Sequence, residues 1–482
     1  MPSSPLRTST CSSSGGRATT DDLLYEILTE NALLSRLFSL ALLILLSHLG
    51  VGGRDPPRWG LQRRNPTSLS SHRCSSDSAT GPDPQAVAQL LESLVTVPND
   101  EVGEIAICAS LRNEGRFIVE WLLYYRILGV DRFYLYDSGS DDDTLERVQP
   151  WLRAGTVKLH RFRHDQQGHY QTTALETCSR TYGPATEWLV EADCDEFYVV
   201  TSTLTALTRG RGLDVGDMPE RPLASLLTAN WLYKNADAVA VSRLTWKNAG
   251  IDELSVDASV LATQTLREYQ HSVGFEKNYF TKSILHTRRK DTGWVIPGAH
   301  FLRNTRLPVG RAKVITANGQ PVDLDPFPAK ATETEAVGTQ YAGTYSGNRV
   351  FEPIILYHYV QRDLQDCYRK LKVAQKLRKG GWRDKAGSEG CTSYVVNEVT
   401  DSQKPIHDQN GFFGASLQDF GMAESWFGRY LPLLISMAKE AAGAGAEGPV
   451  GVLIEPEVVD PHPDLVAQWK AQGLDPQNGM PI

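Results

Sequence analysis

The chain has no C-x-x-C pair, no N-x-S/T acceptor, no G-x-G-x-x-G after its first expected strand and no P-loop. Each absence removes a class of function. Seven cysteines without that spacing, scattered over 482 residues, offer no zinc site and no disulfide framework; Cys108 and Cys194 fall in expected strands, where small buried thiols are ordinary. Without a glycine fingerprint or a P-loop, hydride transfer from a dinucleotide and P-loop phosphoryl transfer fall behind. Basic residues form no long cluster and the net charge is −8, so nucleic acid is not an expected partner, although a local basic patch can still serve a diphosphate. The missing glycosylation acceptor, with Asn65 followed by proline, counts against a large lumenal domain. There is no internal repeat.

What is present reads as globular, with 41% hydrophobic residues and room for one or two domains with a substantial core. Leu37 to Val51 is almost wholly apolar and, joined to Ala32–Leu34 with Arg36 snorkelling, approaches the length of a membrane span. A signal anchor over 32–52 is expected, a signal-peptide core or a packed helix being the alternatives. Arg54, Arg58, Arg63 and Arg64 follow it, whereas acids crowd the preceding side, so positive-inside reasoning keeps the C-terminal side cytoplasmic. Residues 1–31 read as a disordered tail and 53–100 as a Ser/Pro/Arg-rich stem. A folded domain is expected over 101–440, and 441–482 reads as a poorly ordered tail.

Strand and helix patterns alternate from Glu104: strand to Ala109, helix Phe117–Leu128, strand Arg132–Tyr136, helix Thr144–Arg153, strand Thr156–Phe162, a helix over about 166–182, then strand Trp188–Ala192. Such alternation predicts an α/β fold of Rossmann type, with a mostly parallel central sheet and helices on both faces. Ligands bind such sheets at the carboxyl ends of the strands. Residues 363–379 read as a basic amphipathic helix of the kind that is usually a solvated face.

The strand WLVEADCDEFYVV ends in Asp193 and Asp195, with Glu196 beside them, and then resumes. Hard oxygen ligands at a strand end are what Mg²⁺ or Mn²⁺ bridging a diphosphate requires; a solvated acidic turn is the plain alternative. Two other strand ends fall on the same edge. Arg112, Asn113 and Glu114 follow the first strand, and Asp137 opens the turn after the second. Arg112 and helix N-terminal amides can meet a diphosphate, and Asp137 can accept from ribose hydroxyls or a base N–H, while capping and turn roles are the local alternatives. Together these ends suit a nucleotide-linked sugar.

The stretch ASLRNEGRFIVEWLLYYRILGVDRFYLYDSGSDDDT, with WLVEADCDEFYVV at matching spacing, resembles the opening of glycosyltransferase family 92 and the related family-2-like glycosyltransferases of GT-A fold. Gln166 with Tyr170, RLTWKNAG at Arg243–Gly250, Lys282-Ser283-Ile284, Gly298-Ala299-His300 and Tyr357-His358-Tyr359 continue the similarity over about Glu104 to Lys379. Trp246 to Asp252 departs from the aromatic, Gly- and Ser-rich segment usual in the family, which bears on the acceptor. The resemblance implies a GT-A-like domain behind a single-pass Golgi anchor. It also implies an inverting transfer from a UDP-sugar, UDP-galactose among them, to a glycan acceptor. Asp193 and Asp195 would form the metal-binding D-x-D pair, with Asp195 ahead of Asp193 as the direct ligand, and Asp137 would hold the uridine or ribose. His300, ahead of His358, would complete the shell of Mn²⁺ or Mg²⁺. Lys282 and Arg112 are the candidates to balance the diphosphate. The base is sought among Asp252, Glu253 and Glu268, with Asp252 chosen for its loop. Two rival functions stand beside this: a catalytically silent glycan-binding scaffold and a sugar nucleotidyltransferase.

Overall fold

The computed structural model describes residues 83–96, 105–166, 169–201, 216, 218–247, 259–263, 281–287, 293–298, 301–304, 313–322, 340–342, 350, 352–363, 365–366, 368–370, 426–447 and 453–480. The chain divides into two compact units, Met1–Ser78 and Ala79–Ile482, and every described residue belongs to the second. The expected anchor at 32–52 thus lies outside the described residues. Among those residues no helix is long and apolar enough to cross a membrane.

Helix α1 (Pro84–Val95) opens the described chain, with Asp83 as its N-cap and proline in its first turn. Its stripe Val87, Leu91 and Leu94 is buried, and the Arg126 guanidinium donates to the Leu94 carbonyl at its C-terminal end. The fold therefore begins within the stretch read as stem. The expected alternation follows: β1 (Ile105–Leu111), α2 (Ile118–Leu128), β2 (Arg132–Asp137), α3 (Thr144–Arg153), β3 (Val157–Phe162), α4 (Tyr170–Tyr182), β4 (Trp188–Glu191) and β5 (Glu196–Val200). Helices α5 (Pro222–Ala229) and α6 (Trp231–Lys234) precede β6 (Ala238–Lys247), and the short α7 (Val260–Thr263) precedes β7 (Thr281–His286). Then come β8 (Trp294–Gly298), β9 (Phe301–Asn304), β10 (Val314–Thr316), β11 (Gln340–Ala342), β12 (Ile354–Gln361), α8 (Trp426–Glu447), β13 (Glu457–Val459) and α9 (Pro463–Ala471).

The central sheet runs β13-β3-β2-β1-β4-β7-β6-β12-β5, with β10 added beside β6. From β13 to β4 every pairing is parallel. Strand β7 then runs antiparallel to both β4 and β6, and β12 is parallel to β6 but antiparallel to β5. The fold is a mixed α/β structure around this sheet, so the expected parallel Rossmann pattern describes only its first half. The antiparallel β7 joins a second set of strands, for which a run of strand–helix alternations gives no signal.

Side-chain alternation builds the two cores. Ile105, Ile107, Ala109 and Leu111 of β1 face one core, while Ala106 and Cys108 face the other; Phe133 and Leu135 of β2 divide from Tyr134 and Tyr136 in the same way. Helix α2 is buried along its whole length in the first core, packed against α1, α3, α5 and α8. It ends at Gly129, whose φ of 100° is the left-handed geometry of a helix C-terminus. A Cβ there would also come within 2.7 Å of Ala224. The second face is covered by α4 and the small sheet of β8, β9 and β11.

Two expectations change. Cys108 on β1 and Cys178 on α4 form a buried disulfide, although no disulfide framework is read from the sequence; they are 70 residues apart, beyond any local spacing pattern. Residues 453–480, expected as part of a poorly ordered tail, supply β13, which extends the sheet beside β3, and α9, which buries Leu465 and Trp469.

Candidate active site

Strands β2, β1 and β4 lie side by side and parallel, so their carboxyl ends open on one edge. The turns after β1 and β2 are stitched together there. Asn113, with φ of 56°, donates its backbone N–H to Ser140 Oγ (2.8 Å), while its amide exchanges hydrogen bonds with Asp141 (2.6 and 2.8 Å). Glu114 N–H donates to Thr144 Oγ1 and Gly115 N–H to Asp142 Oδ2. Asn113 and the Glu114 backbone thus serve turn architecture, the plain alternative weighed for them. Asp137 is similarly engaged: Oδ1 accepts from Ser140 N–H (2.9 Å) and Oγ (2.6 Å), Oδ2 pairs with Arg161, and Tyr170 O–H donates to its carbonyl (2.6 Å). Asp137 is buried, and its partner Arg161 is the group that reaches solvent. Arg112 is half-buried beside the same turn, its Nε lacking a hydrogen-bond partner among the described residues.

The third edge element is the turn between β4 and β5. Glu196 N–H donates to the Asp193 carbonyl, and the Glu196 carboxylate accepts from Asp193 N–H (3.0 Å), closing a tight loop that pushes Asp193 and Asp195 outward. Trp121 of α2 donates its indole N–H to the Asp193 carbonyl. Gln171, in the first turn of α4, donates to Asp193 Oδ1 at 2.8 Å. Lys282 on β7 lies 2.8 Å from Glu191, 3.2 Å from Asp193 and 3.3 Å from Glu196. Its ammonium has no solvent exposure. Lys282 therefore organises the acidic turn from behind, in place of the expected contact with a diphosphate.

Asp195 is placed by β12. The antiparallel register sets His358 opposite Glu196, and Tyr359 N–H donates to the Asp195 carbonyl. His358 Nε2 faces Asp195 Oδ1 at 3.6 Å, while Asp195 Oδ2 holds Lys370 Nζ at 2.7 Å. The chain just after β12 is fixed by Arg362, which is buried, lies 3.7 Å over the Phe117 ring, and bonds Glu114, Asp366 and the Cys194 carbonyl. Arg369 pairs with Glu114 and Asp366 and donates to the Arg112 carbonyl. The described start of the basic segment read as a solvated face is thus part of the site.

These contacts set the charges. Burial pushes the Glu191 carboxyl up to about 7, only partly offset by Lys282, and burial likewise raises Asp193 against the same ammonium. Asp195 moves the other way: although burial opposes it, Lys370 and His358 hold it well below the usual carboxylate range. Glu196, again against burial, is held down to about 2 by Lys282, His358 and Arg243. Burial would lower Lys282, but Asp193, Glu191 and Glu196 keep it well above the ordinary lysine value. Glu114, Glu191, Asp193, Asp195, Glu196 and Asp366 therefore stand nearly balanced against Lys282, Arg243, Arg362, Arg369 and Lys370.

Among the described residues no group of three or more ligating side chains converges on one point. Asp195 Oδ1 and His358 Nε2, 3.6 Å apart with Asp193 beside them, are of the oxygen and imidazole donor types that a divalent cation takes, and they are the residues that would hold one. His300 lies outside the described residues, as do Asp252, Glu253 and Glu268. Sequence reasoning missed Gln171, Glu191, Arg161, Arg362 and Lys370. Only the Gln166–Tyr170 similarity pointed near Gln171.

Residues 104–210 match the sequence profile of glycosyltransferase family 92. A glycosyltransferase family 92 protein of Ricinus communis is 33% identical over 96 residues, covering 20% of this chain and 17% of that protein; one of rice (Oryza sativa subsp. japonica) is 31% identical over 100 residues, covering 19% and 16%. A galactan beta-1,4-galactosyltransferase of Arabidopsis thaliana is 28% identical over 113 residues, covering 21% of this chain and 22% of its own. The aligned parts are thus about a fifth or less of the family 92 relatives' length. The solved structure of S. aureus TarS 1-349 in complex with UDP shares 13% identity and a TM-score of only 0.23, over 38% of this chain and 47% of its own. The matched segment holds β1 through β5, and with them Asp193 and Asp195, so the resemblance of residues 104–210 to glycosyltransferase family 92 is established.

Proposed function

We propose that this chain is a metal-dependent glycosyltransferase that moves a sugar from a UDP-sugar to a hydroxyl of a glycan acceptor, with inversion. The observation that carries it is Asp195, inside the segment matched to the family and at the open edge of β1, β2 and β4, with its Oδ1 facing His358 Nε2 of β12 at 3.6 Å. Asp195 and His358 would hold Mn²⁺ or Mg²⁺, which supplies positive charge to the departing nucleoside diphosphate. Gln171 and Lys282 would fix Asp193 beside that ion, and Arg112, after β1, and Arg161, paired with Asp137, are the candidate cations for the diphosphate. The acceptor proton needs a carboxylate, for which Asp252 is the candidate, with Glu253 and Glu268 as alternates. Galactose is the first donor sugar to test, because a relative is named a galactosyltransferase.

A membrane anchor at 32–52 with the folded unit in the Golgi lumen belongs to the same reading. The arginines after that segment point the opposite way, but a buried disulfide forms and persists in an oxidising compartment, which supports the lumenal side.

The full chain, given a panel of UDP-sugars beginning with UDP-galactose and a glycan acceptor, is expected to release UDP only with Mn²⁺ or Mg²⁺. Asp195→Ala is expected to lower that release about 10²–10³-fold. Equal release by the two proteins overturns the proposal. A silent glycan-binding protein is the second reading, favoured by the lysines that already pair with both aspartates; glycan binding without UDP release on any donor would select it.

A further inference from the structure

The two aspartates are held by cations of different standing. Asp193 meets Lys282, which is locked in the sheet and fully enclosed, whereas Asp195 meets Lys370, whose side chain keeps 27% of its surface exposed. Lys370 reaches Asp195 Oδ2 at 2.7 Å and also lies 3.3 Å from Asp366. Its neighbour Arg369 ties the same segment to Glu114. The other Asp195 oxygen is the one that faces His358. One carboxylate thus carries an ammonium on one oxygen and faces an imidazole with the other.

We propose that Lys370 is a built-in counter-cation for Asp195, competing with the divalent ion so that the ion binds tightly only together with the anionic diphosphate. This rests on the metal-dependent reading above. The acid cluster has at most one carboxylate in excess of its cations, so a free divalent cation adds more positive charge than the cluster offsets. It would also lie within a few ångström of the Lys370 ammonium, where like charges in a half-buried site repel strongly. A nucleoside diphosphate changes both terms. It brings negative charge of its own, and it offers the Lys370 ammonium an anion to pair with as its hold on Asp195 weakens. By linkage, ion and nucleotide must then strengthen each other's binding by the same factor.

The test is Mn²⁺ binding by the full chain, read from the electron paramagnetic resonance signal of free Mn²⁺, with and without UDP, for wild type, Lys370→Met and Lys370→Arg. Without UDP, Lys370→Met is expected to bind Mn²⁺ about tenfold more tightly than wild type, and Lys370→Arg to match wild type. UDP is expected to tighten Mn²⁺ binding about tenfold or more in wild type and clearly less in Lys370→Met. Lys370→Gln gives the same comparison if the methionine variant fails to fold. Equal or weaker Mn²⁺ binding by a folded Lys370→Met overturns the proposal while leaving the metal reading intact. Absence of Mn²⁺ binding in every protein, UDP present or not, removes the metal reading and this proposal with it.

Discussion

Lys282 has no exposed surface, yet three carboxylates converge on its ammonium. Removing one partner of a buried charge cluster leaves the others uncompensated, which costs about 3–5 kcal/mol. Lys282→Met is therefore expected to lower the urea unfolding free energy by about that amount, and Lys282→Met with Glu191→Leu to recover part of it. A Lys282→Met protein as stable as wild type would show that Lys282 does not organise the turn. At this scale the sequence was half legible. The D-x-D was visible because two acids interrupting an apolar strand are conspicuous, and the structure places them on a turn at the strand ends. The sequence also points to Asn113, Glu114 and Asp137 for a ligand, but their hydrogen bonds go largely to neighbouring turns and arginines. Lys370 and Arg362 carry no such signal: each reaches the β4–β5 turn across more than 160 residues of chain, a contact no local pattern encodes.

Helix α4 links the two halves of the argument. Cys178 bonds it to β1, and Gln171, seven residues earlier and so near the same helix face, reaches Asp193. The disulfide closes a loop of 70 residues, for which loop entropy predicts about 4 kcal/mol. Cys108→Ser with Cys178→Ser is expected to reduce stability by an amount of that order in urea unfolding, and the unreduced wild type to show fewer reactive thiols in denaturant than its seven cysteines. Seven reactive thiols would refute the bond. The elements from β1 to β5 followed the sequence pattern closely, since apolar periodicity switches cleanly between strand and helix there. The C-terminal elements did not: β13 is three residues long, and its stability comes from the neighbour it pairs with.

Across the whole molecule, β13 covers the edge of β3, and His160 sits at that seam. It is buried, Nε2 lies 2.8 Å from Tyr182 Oη, and Nδ1 faces Glu457 of β13. Burial lowers its pKa below 6.5, with Glu457 pulling the other way. The unfolded chain therefore takes up the proton first, so this contribution is complete above about pH 6.5 and is lost as the pH falls from there through the lowered folded value. Glu191, raised to about 7, works the opposite way in this range, so the difference is the readout: the stability of wild type relative to His160→Gln is expected to decline between about pH 7.5 and about pH 5.5. An unchanged pH dependence in the variant would exclude His160 as the source. The overall mixed sheet has one more implication, because β12 is threaded between β5 and β6 and brings His358, Arg362 and Lys370 with it. A ribosome finishes the aspartates long before it reaches the partners that complete their surroundings. A nascent or prematurely terminated chain then carries the acids without their imidazole and ammonium, and only translation through residue 370 yields an assembled centre.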